Sequence, residues 1–176
     1  MTEKGEILVS NKKSMIKKYT IRKIKPGDNA KLAIIIRKVL TEFGGNRPGT
    51  AYYDYDTEHM YEAYQDKGKV YYVVELNGKL VGGSGIKQLA GEDKSICELQ
   101  KLYILEETRG LGIGKALVDK CLLFAKEVGY KKCYLETFPN MTAAINLYKK
   151  FNFKNLDKPF GNTGHNGCDV WMMHDL

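Results

Sequence analysis

The pattern of apolar and polar positions divides the chain into strand-like and helix-like segments. Residues 19–25 alternate apolar and polar side chains, the period of a half-buried strand. Pro26-Gly27-Asp28 stops that run and offers Asp28 as a helix N-cap. Over 29–43, Leu32, Ile35, Ile36, Val39, Leu40 and Phe43 recur at helical spacing, and Gly44-Gly45 ends the stripe. Residues 57–66 fit a second, short helix. Residues 70–76 and 79–89 read as strands joined at Asn77-Gly78, a strong two-residue hairpin signal. A third strand, 95–105, follows the polar turn Gly91-Glu92-Asp93. A Gly-rich turn then opens a helix over 112–128, with Ile113, Leu117, Cys121, Phe124 and Val128 on one stripe. A strand at 132–137, a helix at 140–151 and strands around Phe153 and over 170–173 complete the order.

Hairpins in the middle and a strand–helix–strand crossover later predict a mixed sheet with helices against it, an α/β (α+β) domain. The chain has 176 residues, no internal repeat and no low-complexity linker, so one domain is expected. Its net charge of +7 is unevenly placed: residues 1–25 carry eight of the 28 basic and two of the 21 acidic side chains. Residues 1–14 read as a flexible basic extension and 15–176 as the domain. Because the folded part is close to neutral, a nucleic-acid partner is disfavoured. No apolar run approaches the roughly 20 residues that span a bilayer, and no secretory apolar segment opens the chain.

The four cysteines, Cys97, Cys121, Cys133 and Cys168, lack CxxC spacing, and a reduced, cytoplasmic setting is the simplest reading. His165, Cys168 and His174 fit no standard zinc pattern, so no metal is expected.

The most informative segment lies around Gly110, Gly112 and Gly114, between a strand and a helix. Glycine lets a ligand approach the backbone closely. The first N–H groups of the following helix lack internal partners and carry positive partial charge, which suits a phosphate or pyrophosphate. The GxGxG spacing departs from the dinucleotide fingerprint GxGxxG. A P-loop would need Ser or Thr after Lys115, where Ala116 stands.

Arg109-x-x-Gly112-x-Gly114, directly after Leu102-Tyr103-Ile104, resembles the acyl-CoA motif of the GCN5-related N-acetyltransferase (GNAT) family. Residues 98–104 resemble that family's fourth strand and Leu135-Glu136-Thr137 its fifth, while MTAAINLYKKFNF at 141–153 resembles its second signature. Asn152 stands where the family usually has Gly, and Met141 where many members carry Asn.

The resemblance implies a mainly antiparallel mixed sheet of about six to seven strands with about four helices, its fourth and fifth strands splayed around the pantetheine arm of acetyl-CoA. It implies that Leu102, Tyr103 and Ile104 contact the arm and thioester. The amides of Gly110, Leu111, Gly112, Ile113, Gly114 and Lys115 would hold the pyrophosphate, with Arg109 and Lys115 adding positive charge. The reaction it implies is acetyl transfer to a primary amine by direct attack in a ternary complex, without a metal. The alternative is an acyl-CoA-binding module without turnover.

An amine must lose a proton to attack, so a base is needed. Glu98 matches the glutamate base of some family members, and alternation would put it on the same strand face as Leu102. A salt-bridged glutamate at a strand start is the competing reading. Tyr148 matches the tyrosine that protonates the leaving thiolate in the family, or packs beside Ile145 and Ala144. For the acceptor, residues 48–66 offer five tyrosines and five acids with no Lys or Arg. Tyr52, Tyr53, Asp54 and Tyr55 there could receive an ammonium, or form a solvated face. His165, in the Gly- and Asn-rich loop 160–167, could face substrate or solvent. The acceptor is an amine-bearing small molecule, peptide or protein, and a homodimer is compatible with the resemblance.

Overall fold

Alternation and turn chemistry translate directly into the strand order of the computed structural model, which describes residues 3–7 and 17–176. Its strands are β1 (Glu3–Ile7), β2 (Lys17–Lys23), β3 (Val70–Leu76), β4 (Lys79–Gln88), β5 (Ile96–Ile104), β6 (Lys132–Thr137), β7 (Lys154–Leu156) and β8 (Val170–Asp175). The helices are α1 (Asn29–Glu42), α2 (Met60–Ala63), α3 (Ile113–Val128) and α4 (Thr142–Lys150). The described strands form one sheet in the order β1-β2-β3-β4-β5-β6-β8-β7. Every neighbouring pair is antiparallel except β5 and β6. Asn77 and Gly78 both take positive φ, as a tight hairpin between β3 and β4 requires.

The sheet has one strand more than the upper expected number. That strand, β1, lies within the segment read as a basic extension and pairs with β2 from Glu3↔Ile21 to Ile7↔Lys17. The remaining residues of the 1–14 extension lie outside the described residues.

Helices cover both faces of the sheet. On one face, α3 buries Ile113, Leu117, Val118, Cys121, Leu122 and Ala125 against Val74, Ile86, Cys97, Leu99 and Leu135. The expected stripe drifts at its end: Phe124 is half-buried and Val128 exposed, because the buried face follows Leu122 and Ala125. On the other face, Leu32, Ile36 and Leu40 of α1 pack with Met60, Tyr64, Tyr71 and Phe138.

Asp28 stands at the N-cap of α1 but makes no capping bond. Its carboxylate is taken by Arg22, at 2.7 and 2.9 Å, and by the Lys25 amide at 2.8 Å. That contact ties the helix start to β2. Among the described residues no helix is long and apolar enough to cross a membrane.

Two local features shape the middle of the sheet. First, β5 and β6 pair only from Ile96↔Lys132 to Glu98↔Tyr134, so the β5 edge beyond Glu98 has no β6 partner. Second, the β4–β5 register slips between Gly83↔Tyr103 and Gly85↔Gln100, placing an extra residue in β5. This is a β-bulge, and Lys101 within it has φ +50°.

Candidate active site

Gly110 and Gly112 adopt the left-handed region, with φ of +78° and +76°, and turn the chain from β5 into α3. A Cβ on either would meet no atom within 4 Å, so both backbones face open space. The first amide to bond back into the helix is that of Ala116, to the Gly112 carbonyl at 3.1 Å. The preceding amides therefore point outward from a positive helix end.

They border a cleft of about 400 Å³ walled by Leu102, Ile104, Arg109, Gly110, Gly112, Ile113, Gly114 and Lys115. The approach to α4 and its first turns, from Asn140 to Ala144 with Leu147, form the facing wall, and Val39 of α1 and Phe43 just beyond its end also line the cleft. This explains why Ala144 and Leu147 stay half-exposed on an amphipathic helix. A cradle of free amides without side chains fits a diphosphate, and the apolar trough beyond it fits an extended acyl carrier.

Of the residues expected at the donor, Leu111 packs its partly buried side chain against the core, which leaves its amide as the part expected to meet the diphosphate. Tyr103 turns to the opposite face of the sheet. The two cations are already paired. Arg109 makes a two-pronged ion pair with Glu42, donates Nε to the Ile104 carbonyl at 3.1 Å and lies over the Phe43 ring. Lys115 reaches Asp119, one helical turn on, at 3.0 Å. Main-chain amides thus supply most of the local attraction for an anion. Arg109 chiefly pins α1 to the turn. Asn140, beside the variant Met141, donates to the Phe43 carbonyl at 3.1 Å and fixes the other side of the same helix end.

The bulge in β5 overturns the alternation argument for Glu98. Cys97 and Leu99 face the α3 side, as do Leu102 and Ile104, whereas Gln100, Lys101 and Tyr103 face the α1 side. Two consecutive residues, Gln100 and Lys101, share a face, so parity reverses between Glu98 and Leu102. Glu98 looks into a second, smaller cavity of about 40 Å³, lined also by Thr50, Ala51, Leu99, Gln100, Lys101, Tyr103, Glu136, Phe138, His165 and Cys168. The two cavities lie on either side of β5: Leu102 lines the first, and its neighbours Lys101 and Tyr103 line the second.

Charge is concentrated in this second cavity. Glu98 is 4% exposed, and burial pushes its carboxyl up to about 7 despite a 2.6 Å hydrogen bond from Gln100. Glu136 adds to that rise by repulsion. Lys101 Nζ is 2.6 Å and His165 Nε2 3.0 Å from the same oxygen of Asp54. Burial alone would raise Asp54, but these two partners hold it down at about 2. Burial works against a charged His165, yet its bond to Asp54 outweighs that and raises it above the ordinary value. His165 Nδ1 also lies 3.9 Å from Glu136. Glu136 accepts hydrogen bonds from Tyr134 at 2.8 Å and Thr163 at 3.0 Å.

Asp54 and His165, expected near the acceptor, are thus brought together beside Glu98. The tyrosines around Asp54 are not: Tyr53 and Tyr55 are 64% and 76% exposed, and Tyr52 packs against the α1 core and under Arg37. The acidic stretch does not stay free for a cation either. Asp54, Asp56, Glu58 and Asp66 are paired with Lys101, Lys87, Arg37 and Lys69, and Glu62 accepts from Asn29. Bases distant in sequence, as well as nearby Lys69, supply the counter-charge that composition within 48–66 lacked.

Tyr148 is buried, packs at 5.9 Å from Phe153, and burial raises its phenol well above the ordinary value. His174 packs on Phe153, away from His165 and Cys168. Sequence reading missed Lys101 and Glu136. A lysine inside an apolar strand, and a glutamate in Tyr-Leu-Glu-Thr two residues after a tyrosine, were the available signals.

The family model described as acetyltransferase (GNAT) matches residues 37–153, well over half of the chain. The chain belongs to the acetyltransferase (GNAT) family. Among GNAT relatives, it is 40% identical over 157 residues to YjgM of Escherichia coli K12, described as an uncharacterized N-acetyltransferase, covering 89% of this chain and 94% of that one. The GNAT-family acetyltransferase of Staphylococcus aureus Mu50 superposes with a TM-score of 0.77 at 21% identity, over 89% of this chain and 98% of that chain. The yncA protein of Salmonella typhimurium, a putative acetyltransferase solved with acetyl-CoA, superposes with a TM-score of 0.70 at 21% identity, over 89% and 93% of the two chains. The GNAT fold accounts for the splayed β5–β6 pair and for the amide cradle at its end.

Proposed function

We propose that this GNAT enzyme transfers the acetyl group of acetyl-CoA to a primary amine by direct attack in a ternary complex. The observation that carries this reading is Glu98, a buried carboxyl poised near neutrality in a cavity across β5 from the cleft that ends in the amide cradle.

The amides from Gly110 to Lys115 hold the diphosphate, and the unpaired edge of β5 from Leu102 to Ile104 aligns the pantetheine arm as an added strand. Bound acetyl-CoA supplies an activated acyl group. The Leu102 amide donates to the oxygen on which negative charge develops, a fixed dipole that needs no reorganisation during reaction. Glu98, ionised above about pH 7, takes a proton from the acceptor ammonium directly or through one water. Glu136 shares the cavity and helps to hold the cation. As the C–N bond forms and the C–S bond breaks, the departing sulfur takes a proton from Tyr148, and the second proton that the nitrogen sheds in becoming an amide passes through water to restore the phenol. Burial keeps that phenol protonated and able to donate at neutral pH.

The test combines calorimetric titration of acetyl-CoA with CoA release over a panel of amines. Turnover should rise with pH through about 7. Glu98→Gln should lower kcat by about 10²- to 10⁴-fold while acetyl-CoA still binds. Tight donor binding with no amine acetylated at any pH would replace this reading with a non-catalytic acyl-CoA-binding module.

A further inference from the structure

We propose that the acceptor is a primary amine that also carries an anionic group, a carboxylate or a phosphate, and that Arg47 at the mouth of the Glu98 cavity binds that anion. The inference rests on the acetyl-transfer reading of the cavity and names the class of acceptor.

Four arginines occur in the chain. Arg22 pairs with Asp28 and Glu75, Arg37 with Glu58 and Arg109 with Glu42. Among the described residues no carboxylate pairs with Arg47. Its guanidinium sits 5.7 Å from the centre of the Phe138 ring and donates one N–H, at 2.9 Å, to the Gly167 carbonyl. Phe138 and Cys168, the residue after Gly167, both line the cavity, and the Cys168 thiol feels the charge of Arg47. A guanidinium has five donors, so most of this fork is uncommitted.

The backbone beneath it is fixed. The single Thr50 hydroxyl proton lies between the Gly45 and Arg47 carbonyls, with Oγ1 2.7 and 2.8 Å from them, and the Gly167 amide donates to the Gly49 carbonyl at 2.9 Å. A Cβ on Gly167 would come within 2.9 Å of that carbonyl, so the two segments touch backbone to backbone. The exposed Arg47 side chain thus extends from a fixed segment and is anchored only by the Gly167 carbonyl and the Phe138 ring, which leaves its remaining N–H groups to an incoming anion.

The cavity floor is complementary. Glu98, Asp54 and Glu136 face Lys101 and His165, leaving one excess negative charge when all are ionised, which matches one ammonium. The cavity's roughly 40 Å³ takes an aminomethyl group and little more, since a single water needs about 10–15 Å³. The rest of an acceptor must lie at the mouth, beside Arg47. A diamine would set its second cation against the guanidinium. An amine bearing an anion would satisfy both ends.

The experiment measures kcat/KM at saturating acetyl-CoA for matched pairs: α-amino acids against their decarboxylated amines, and phosphoethanolamine against ethanolamine. A diamine series is run beside them. The expected result is a preference of about tenfold or more for the anion-bearing member of one pair type, which also tells carboxylate from phosphate. In Arg47→Gln that preference falls toward one through a rise in KM, and Arg47→Lys recovers part of it. Calorimetric titration of CoA into each variant checks that it is folded. Plain amines or diamines used as well as anion-bearing ones, or an equal loss on all acceptors in Arg47→Gln, would overturn the inference with acetyl transfer intact. Donor binding with no acceptor acetylated would overturn both.

Discussion

Gln100 and Lys101, consecutive in sequence, project from the same face of β5. Gln100 bonds to Tyr64 and Glu98, and Lys101 to Asp54. The bulge that permits this is braced by Tyr71, whose hydroxyl donates to the Lys101 carbonyl at 2.8 Å. Tyr71 can lie there only because β4 presents Gly83 and Gly85, where a Cβ would come within 2.5 and 2.6 Å of its ring. Tyr71→Phe leaves that buried carbonyl without its donor, at a cost of about 1–3 kcal/mol. Thermal melting should show a Tm lower by several degrees. If the bulge sets the thioester and the acceptor cavity in register, kcat falls further than Tm alone would suggest.

Glu98 links catalysis to stability with opposite signs. Its carboxyl is raised by burial to about 7 from an unfolded value of 4.5, so the folded state holds the proton more tightly than the unfolded chain. Stability from this group is full below about pH 4.5 and is lost as pH rises to about 7. The loss across that window is about 3 kcal/mol. Glu98→Gln, which cannot ionise, should therefore be more stable than the parent at pH 8 and similar to it at pH 4.5. Urea denaturation of both proteins at the two pH values checks this. The deficit in turnover of the same variant relative to the parent should be greatest near pH 8, where the parent's Glu98 is ionised.

Gly112 separates the amide cradle from ordinary loop geometry. An alanine there would be strained by about 1–2 kcal/mol at φ +76°, although its Cβ meets nothing in the protein. The open space it would occupy is the space a diphosphate needs. Gly112→Ala should weaken acetyl-CoA binding at least about tenfold, while a control in similarly open, left-handed geometry, Gly129→Ala at the far end of α3, should lose stability but keep donor affinity. Calorimetry and thermal melting on the two variants separate the contributions.

The fold was legible in the chain wherever a local rule determined it. Asn77-Gly78 specified the hairpin, Gly44-Gly45 the end of α1, and the GxGxG turn the start of α3. Even the departure at Asn152 follows such a rule: its φ is +62°, and Asn is the residue that best tolerates the position a Gly usually fills. What escaped depends on pairing between distant segments. The strand β1 sits in a basic stretch with little alternation and is defined by its partner β2. The bulge at Lys101 leaves no composition signal, because it arises from the β4 glycines and Tyr71 on other strands. For the same reason Glu136 looked like any strand glutamate, and the neutralisation of Asp54 by Lys101 spans 47 positions.

Asp54 is the hinge of that charge arrangement, and its removal separates structural from electrostatic effects. Its pKa is depressed from 3.8 to about 2, so its stabilisation is present above about pH 4 and is lost as pH falls toward 2. At neutral pH that amounts to about 2 kcal/mol. Asp54→Asn removes it and leaves the buried Lys101 without its partner, so the midpoint of urea denaturation should fall at pH 7 and converge with the parent near pH 2. His165 reports the electrostatic half. Burial and Lys101 both press against its charged form, and the bond to Asp54 overcomes them. Without Asp54 those two forces act with only Glu98 and the neighbouring Glu136 opposing them, so the imidazole should titrate below its parent value. NMR titration of His165 measures this directly, with the more exposed His59 as an internal reference. An unchanged His165 in a folded Asp54→Asn protein would show that Glu136, 3.9 Å from the other ring nitrogen, is its principal partner instead.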